Sequence, residues 1–166
     1  MMDRLEARAR EMVGKSATVT RDDPGTDVPW TLQTLSVEPH RRGCRRFDAV
    51  QLGDELVVQV GEIGGRWELT ADADGLDFAV RLLDACVAGR VHERMAPGRS
   101  AVTVLLEGGE TFTETGHEPP HFYPIPGWRR LGRRVAYEPY VEPEEAQRPG
   151  GGPPDVADDG SDARRR

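Results

Sequence analysis

Residues His117-Glu118-Pro119-Pro120-His121 spell H-E-x-x-H. In that pattern two histidines hold a zinc ion and the glutamate between them acts as general base. The chemistry needs both histidines on one helix face, one turn apart. Pro119 and Pro120 prevent it, because each proline pushes the residue before it out of helical angles. An extended polyproline-like run rises about 3.1 Å per residue with about three residues per turn. The two Cα atoms then sit roughly 12 Å apart, with side chains directed about 120° apart. Zinc takes imidazole nitrogens at about 2.0–2.1 Å from one centre. The segment reads instead as a stiff exit from a hairpin, aimed at Trp128, and no metal or cofactor is expected. A small metal-dependent hydrolase or nuclease using His117, Glu118 and His121 with acids from elsewhere is the alternative.

Three other stretches have suggestive chemistry. Gly61-Glu62-Ile63-Gly64-Gly65 invites a phosphate-loop reading, but it fits neither glycine-rich nucleotide signature and is followed by a strand pattern rather than a helix. Its glycines read as hairpin glycines. The segment His40 to Arg46 places Arg41, Arg42, Arg45 and Arg46 around Cys44. Such a cluster favours a thiolate, with His40 as a nearby base, or makes an anion patch. The third stretch, 124–134, sets Trp128 among Arg129, Arg130, Arg133 and Arg134 behind a proline-rich entry. Arg and Trp dominate binding hot spots, and an arginine over an indole stacks. For general catalysis there are four histidines, His40, His92, His117 and His121, and none sits in a context that specifies a reaction.

The elements that must carry these groups follow from periodicity. Leu5, Ala9, Met12 and Val13 fall at helical spacing, with Gly14 as the stop. Residues 17–21 and 30–37 read as strands, separated by a loop over 22–29. Residues 47–71 read as three strands joined at Gly53-Asp54 and Gly64-Gly65, with Leu56, Val58 and Val60 on one face. A helix over 72–90 is capped by Asp72 or Asp74 and ends at Gly89; Leu76, Ala79, Val80, Leu83 and Val87 form its stripe. Cys86 sits beside that stripe as a core residue. A hairpin spans 100–115, and a last strand covers 133–140. The prediction is an α+β domain: an antiparallel sheet, made of the meander plus the C-terminal hairpin, with two helices packed on one face.

Of the 166 residues, 1–140 form the expected single domain. Residues 141–166 are rich in Pro, Gly and charge, and are expected to be a disordered acidic tail, because they bury too little apolar surface to offset ordering entropy. Residues 1–140 carry 18 Lys and Arg against 22 Asp and Glu, and the tail 4 against 7, for a net charge of −7. An acidic chain is a poor match for nucleic acid, whose affinity comes from phosphate neutralisation. Lys15 is the sole lysine against 21 arginines, which reads as genome composition rather than a choice of Arg over Lys at any site. The start of the chain lacks the apolar core of a signal peptide, and no run reaches membrane-spanning length. A cytoplasmic protein with two reduced thiols, and no membrane partner, is expected.

The stretches VQVGEIGGRWEL (58–69) and PGWRRLGRRVAYEPY (126–140) resemble segments of uncharacterised small proteins of high-GC bacteria, to which no activity is attached. That resemblance implies no catalytic residues. In outline the element order resembles secretion-chaperone-like and toxin-immunity domains, which is a likeness of fold and not of function. The expectation is a non-enzymatic domain of adaptor, chaperone or immunity type that binds a protein partner. Its contact residues are expected to be Trp128, Arg129, Arg130, Arg133 and Arg134, with Arg41, Arg42, Arg45 and Arg46. Anion or nucleic-acid binding through the two arginine clusters is a further alternative, provided they share a face.

Overall fold

The computed structural model describes residues 1–22, 32–119 and 126–142. His121, most of the 22–29 loop, Trp30, Thr31 and the tail beyond Glu142 lie outside the described residues.

Helix α1 (Met2–Val13) buries Met2, Leu5, Ala9 and Val13, the stripe expected from its period, and stops at Gly14 in a positive-φ conformation. Strands β1 (Ala17–Asp22), β2 (Leu32–Pro39), β3 (Phe47–Leu52), β4 (Glu55–Gln59) and β5 (Arg66–Thr70) form a five-stranded antiparallel meander in chain order. Leu35, Val37, Phe47, Ala49, Leu56 and Val58 alternate onto its buried face. Helix α2 (Ala73–Val87) begins at Asp72, whose Oδ1 accepts the Gly75 N–H at 2.9 Å.

The remaining strands, β6 (Val91–Ala96), β7 (Arg99–Leu105), β8 (Thr111–His117) and β9 (Arg133–Ala136), form a second antiparallel sheet in the order β8-β7-β6-β9. Two sheets thus stand where the sequence suggested one. Three strands run in succession and the fourth returns beside the first, a Greek-key order. The returning connection leaves β8 at one edge and re-enters at β9 on the other. It carries a four-residue helix, α3 (Trp128–Leu131). The expected final strand, 133–140, is shorter, because after the Tyr137 N–H bonds Val91 of β6 the chain leaves the sheet, and Glu138 and Tyr140 bond to Gly43 of the 41–46 loop and to Val87 at the end of α2.

β6 escapes a sequence reading because its alternation is broken by charge. Val91 and Glu93 point inward, and Glu93 is 2% exposed. Helix α1 packs against α2 and against β1 and β2, while α2 also packs against β5 and β7. Both sheets and both helices feed one core that includes Val91, Val102 and Val104 from the second sheet and Leu82, Leu83 and Cys86 from α2. Phe78 of α2 meets Phe112 of β8 edge to face, with centroids 5.0 Å apart.

Glycines let the two sheets meet. The bend after β4 lies against β7 and β8 so closely that a Cβ at Gly61 would stand 2.3 Å from a Val102 methyl. One at Gly116 would stand 2.0 Å from the Ile63 carbonyl oxygen. The expected hairpin role therefore holds with an addition: Gly65 supplies a positive φ of 76°, whereas Gly61 and Gly64 supply clearance. No helix is long and apolar enough to cross a membrane.

Candidate functional site

The second sheet has two unlike faces. Its inner face carries Val91, Val102 and Val104 into the core. Strand alternation puts His92 and Arg94, Ala101 and Thr103, Thr113 and Thr115, and Arg134 and Ala136 on the other face. A groove of about 510 Å³ opens there, lined by these side chains except Thr115, and by Arg129 from α3. No Asp or Glu side chain of the four strands alternates onto this face. Glu93 borders the groove by position, but its carboxylate turns inward.

The register sets the local geometry. Tyr137 N–H donates to the Val91 carbonyl, which makes Val91 and Tyr137 a hydrogen-bonded pair and Arg94 and Arg134 a directly opposed non-hydrogen-bonded pair. Side chains in such pairs lie closest together, and like charges so placed repel. On the far side Thr103 and Thr113 are also directly opposed, and their hydroxyls meet at 3.0 Å. Between these pairs lies Ala101, a short side chain that leaves a low floor.

α3 roofs one end. Arg129 Nη2 donates to Thr115 Oγ1 at 2.9 Å, and Arg94 Nη1 donates to the Arg130 carbonyl at 3.0 Å. Trp128 is half-buried, with the Arg99 guanidinium 5.9 Å from its ring centroid and that of Arg129 at 5.7 Å. The indole thus acts as a plate that positions Arg129. Of the expected contact residues, Arg129 and Arg134 line the groove; Arg130 and Arg133 are exposed and do not line it, and Arg133, which alternates onto the opposite face with Met95, reaches the Met95 sulfur at 3.5 Å. His92, Arg94, Thr103 and Thr113 were not foreseen. Their only local signal is the period-2 alternation of polar residues, which says nothing of which strand lies opposite.

Arg41, Arg42, Arg45 and Arg46 do not line this groove. Arg41 pairs with Glu138 at 2.8 Å and Glu142 at 3.1 Å, and Arg46 pairs with Asp48 at 2.8 Å and Glu38 at 3.4 Å. Arg45 donates to the Gly61 carbonyl, pairs with Glu62 at 2.9 Å and stacks over Tyr137. Burial works against its charge, yet the bond it donates to Glu62 and the field of Tyr137 and Glu93 raise its pKa. Arg42 is exposed.

Cys44 is not the activated thiol its arginines suggested. Burial pushes its pKa up, Arg41 lowers it less, and its Sγ donates to the Pro139 carbonyl at 3.2 Å. His40 contacts Thr18 Oγ1 and the Lys15 carbonyl through its ring nitrogens. Cys86 is fully buried, as expected, and burial pushes its thiol pKa up.

Glu93 is committed to structure. Its Oε1 accepts the Ser100 hydroxyl at 2.5 Å and the Glu62 N–H at 3.0 Å, and its Oε2 accepts the Tyr137 hydroxyl at 2.5 Å. Ser100 Oγ in turn accepts the Gly64 N–H at 2.7 Å. This network fastens the glycine bend to the second sheet.

His117 and Glu118 are exposed at the end of β8, where the chain passes from strand into a turn at Pro119 rather than into a helix. His117 borders a separate cavity of about 520 Å³ between β5 and β8. Among the described residues no three His, Cys, Asp or Glu side chains converge as metal ligands. In comparisons with known proteins the chain matches no family model, no curated protein and no solved structure.

Proposed function

We propose that this chain is a non-enzymatic binding domain, of adaptor, chaperone or immunity type, that docks an acidic segment of a partner protein on the outer face of the β8-β7-β6-β9 sheet. One observation carries the reading. In a chain of net charge −7, this face gathers Arg94, Arg129 and Arg134 with no strand carboxylate, and among the described residues none of the three forms an ion pair. Opposed cations left without a counter-charge cost the folded protein stability and favour an incoming anion.

The surroundings suit a protein more than a simple ion. Leu131 on α3 is 85% exposed and Leu105 on β7 is 39% exposed, so apolar anchors flank the charged groove. Groups that would otherwise suggest chemistry are occupied inside the fold: the Glu93 carboxylate by three donors and the Cys44 thiol by Pro139.

The test is affinity capture with the native chain and with an Arg129→Glu/Arg134→Glu variant. The native chain is expected to hold a partner at micromolar concentration, with capture weakening steeply as salt rises. The variant is expected to lose that partner while its urea midpoint does not fall. Equal capture by both chains contradicts the reading.

A further inference from the structure

We infer that the groove recognises a phosphate monoester carried on a side chain of the partner protein. This rests on the docking reading above and adds the chemical group that the partner presents.

The geometry favours a dianion over a carboxylate. Arg94 and Arg134 are directly opposed on neighbouring strands, and Arg129 lines the same groove from α3. Three cations face one low floor. A carboxylate offers one charge and two oxygens to them. A phosphate monoester offers up to two charges and three terminal oxygens, one for each guanidinium. Arginine forks suit phosphate because two parallel N–H groups meet two oxygens. The Thr103 and Thr113 hydroxyls, already 3.0 Å apart, add donors on the far side.

Two of the arginines are held in place before any ligand arrives. Arg94 spends one nitrogen on the Arg130 carbonyl, and Arg129 is fixed between Thr115 and the Trp128 ring. Fixed donors lose little entropy on binding. The groove, at about 510 Å³, also has room for the stem that bears the phosphate, against Ala101 and Ala136.

The experiment is an NMR titration of the full chain at constant ionic strength, with inorganic phosphate, phenyl phosphate and benzoate as probes. Phenyl phosphate is expected to bind tightest. Benzoate should bind at least about tenfold more weakly, the worth of one charge-assisted bond. The shifts should centre on the side-chain signals of Arg94, Arg129 and Arg134 and on Thr103 and Thr113. Binding should strengthen from pH 5 to 7, as the monoester passes its second pKa of about 6. Arg134→Gln, at an exposed position, should weaken phenyl phosphate about tenfold or more.

Benzoate binding as well as phenyl phosphate, or an affinity unchanged in Arg134→Gln, overturns the inference. So does tighter binding of oligothymidylate or phosphatidylserine vesicles than of phenyl phosphate, since either would assign the phosphate to a nucleic acid or a lipid. Partner capture that survives phosphatase treatment of the partner overturns this inference and leaves the docking reading intact. Phosphate bound at Arg134 with no partner captured keeps the anion site and overturns the docking reading.

Discussion

Two arginine-rich regions of this chain have similar composition and different uses. In the 41–46 loop, Arg41 and Arg45 meet acids brought by the fold, Glu138 and Glu142, and Glu62, while Arg46 pairs with the nearby Asp48 and Glu38. Arg41, Arg45 and Cys44, with the Tyr140 hydroxyl donating to the Arg45 carbonyl at 2.5 Å, hold the segment after β9 against the body of the protein. On the outer face of the second sheet, Arg94, Arg129 and Arg134 line an open groove, and among the described residues no acid meets them. Arginine density therefore does not mark a binding site by itself. The number of acids that the fold delivers to the arginines decides whether they fasten the structure or stand without a counter-charge.

The sharpest way to separate structural from available groups is through the junction beneath the groove. Gly116→Ala places a Cβ 2.0 Å from the Ile63 carbonyl oxygen, with backbone on both sides. It should cost about 3 kcal/mol or more in urea unfolding. A small effect would mean that the bend and the second sheet are not tightly joined. Next in size is Arg45→Ala, which removes the bonds to Gly61 and Glu62 and the stack on Tyr137. A loss of about 2 kcal/mol is expected, against a change within about 0.5 kcal/mol for Arg129→Ala. A reversed order breaks the contrast between the two regions.

A pH scan probes the same junction. Burial, then the hydrogen bond to Glu93 and its charge, raise the Tyr137 phenol above its ordinary value of 10.0. The folded state therefore keeps this proton longer than the unfolded chain. Its contribution is complete below pH 10 and is lost as pH rises beyond it. Urea midpoints should fall above pH 10, and less steeply in Tyr137→Phe. An equal fall in both chains would remove Tyr137 from the account. The smallest effect belongs to the groove. Arg134→Gln relieves the opposed pair with Arg94 and should raise stability by a few tenths of a kcal/mol at low salt, a gain that disappears at about 0.5 M salt. A loss at low salt would show that Arg134 serves the fold.

The parts of this architecture legible in the sequence are those set by local rules. α1 and α2 follow from the spacing of Leu5, Ala9, Leu76, Ala79 and Leu83, and the meander follows from alternation and the turns at Gly53 and Gly65. The HEPPH segment is also local, and its described portion, 117–119, ends a strand and enters a turn with no helix. What was hidden is non-local. β6 disguises itself with an inward Glu93, which is tolerable only because Ser100, Tyr137 and the Glu62 amide converge on it. The split into two sheets arises because β6, β7 and β8 pair with no strand of the meander, and β9 returns to β6 by a pairing that no turn residue encodes. For the candidate site, Arg129 and Arg134 stood out as a cluster beside Trp128. Arg94 and the opposed threonines arrived only through strand register, and the 41–46 arginines were misleading because the pairing of Arg41 with Glu138 and Glu142, and of Arg45 with Glu62, is set by the fold and not by sequence neighbours.

Amide hydrogen exchange of the chain, free and bound to its captured partner, tests the central claim most directly. The account predicts slowed exchange in the complex across 126–136 and in β6, with no added protection over 40–46. Protection centred on 40–46, or along α1 and α2 with the 126–136 segment unchanged, would contradict it.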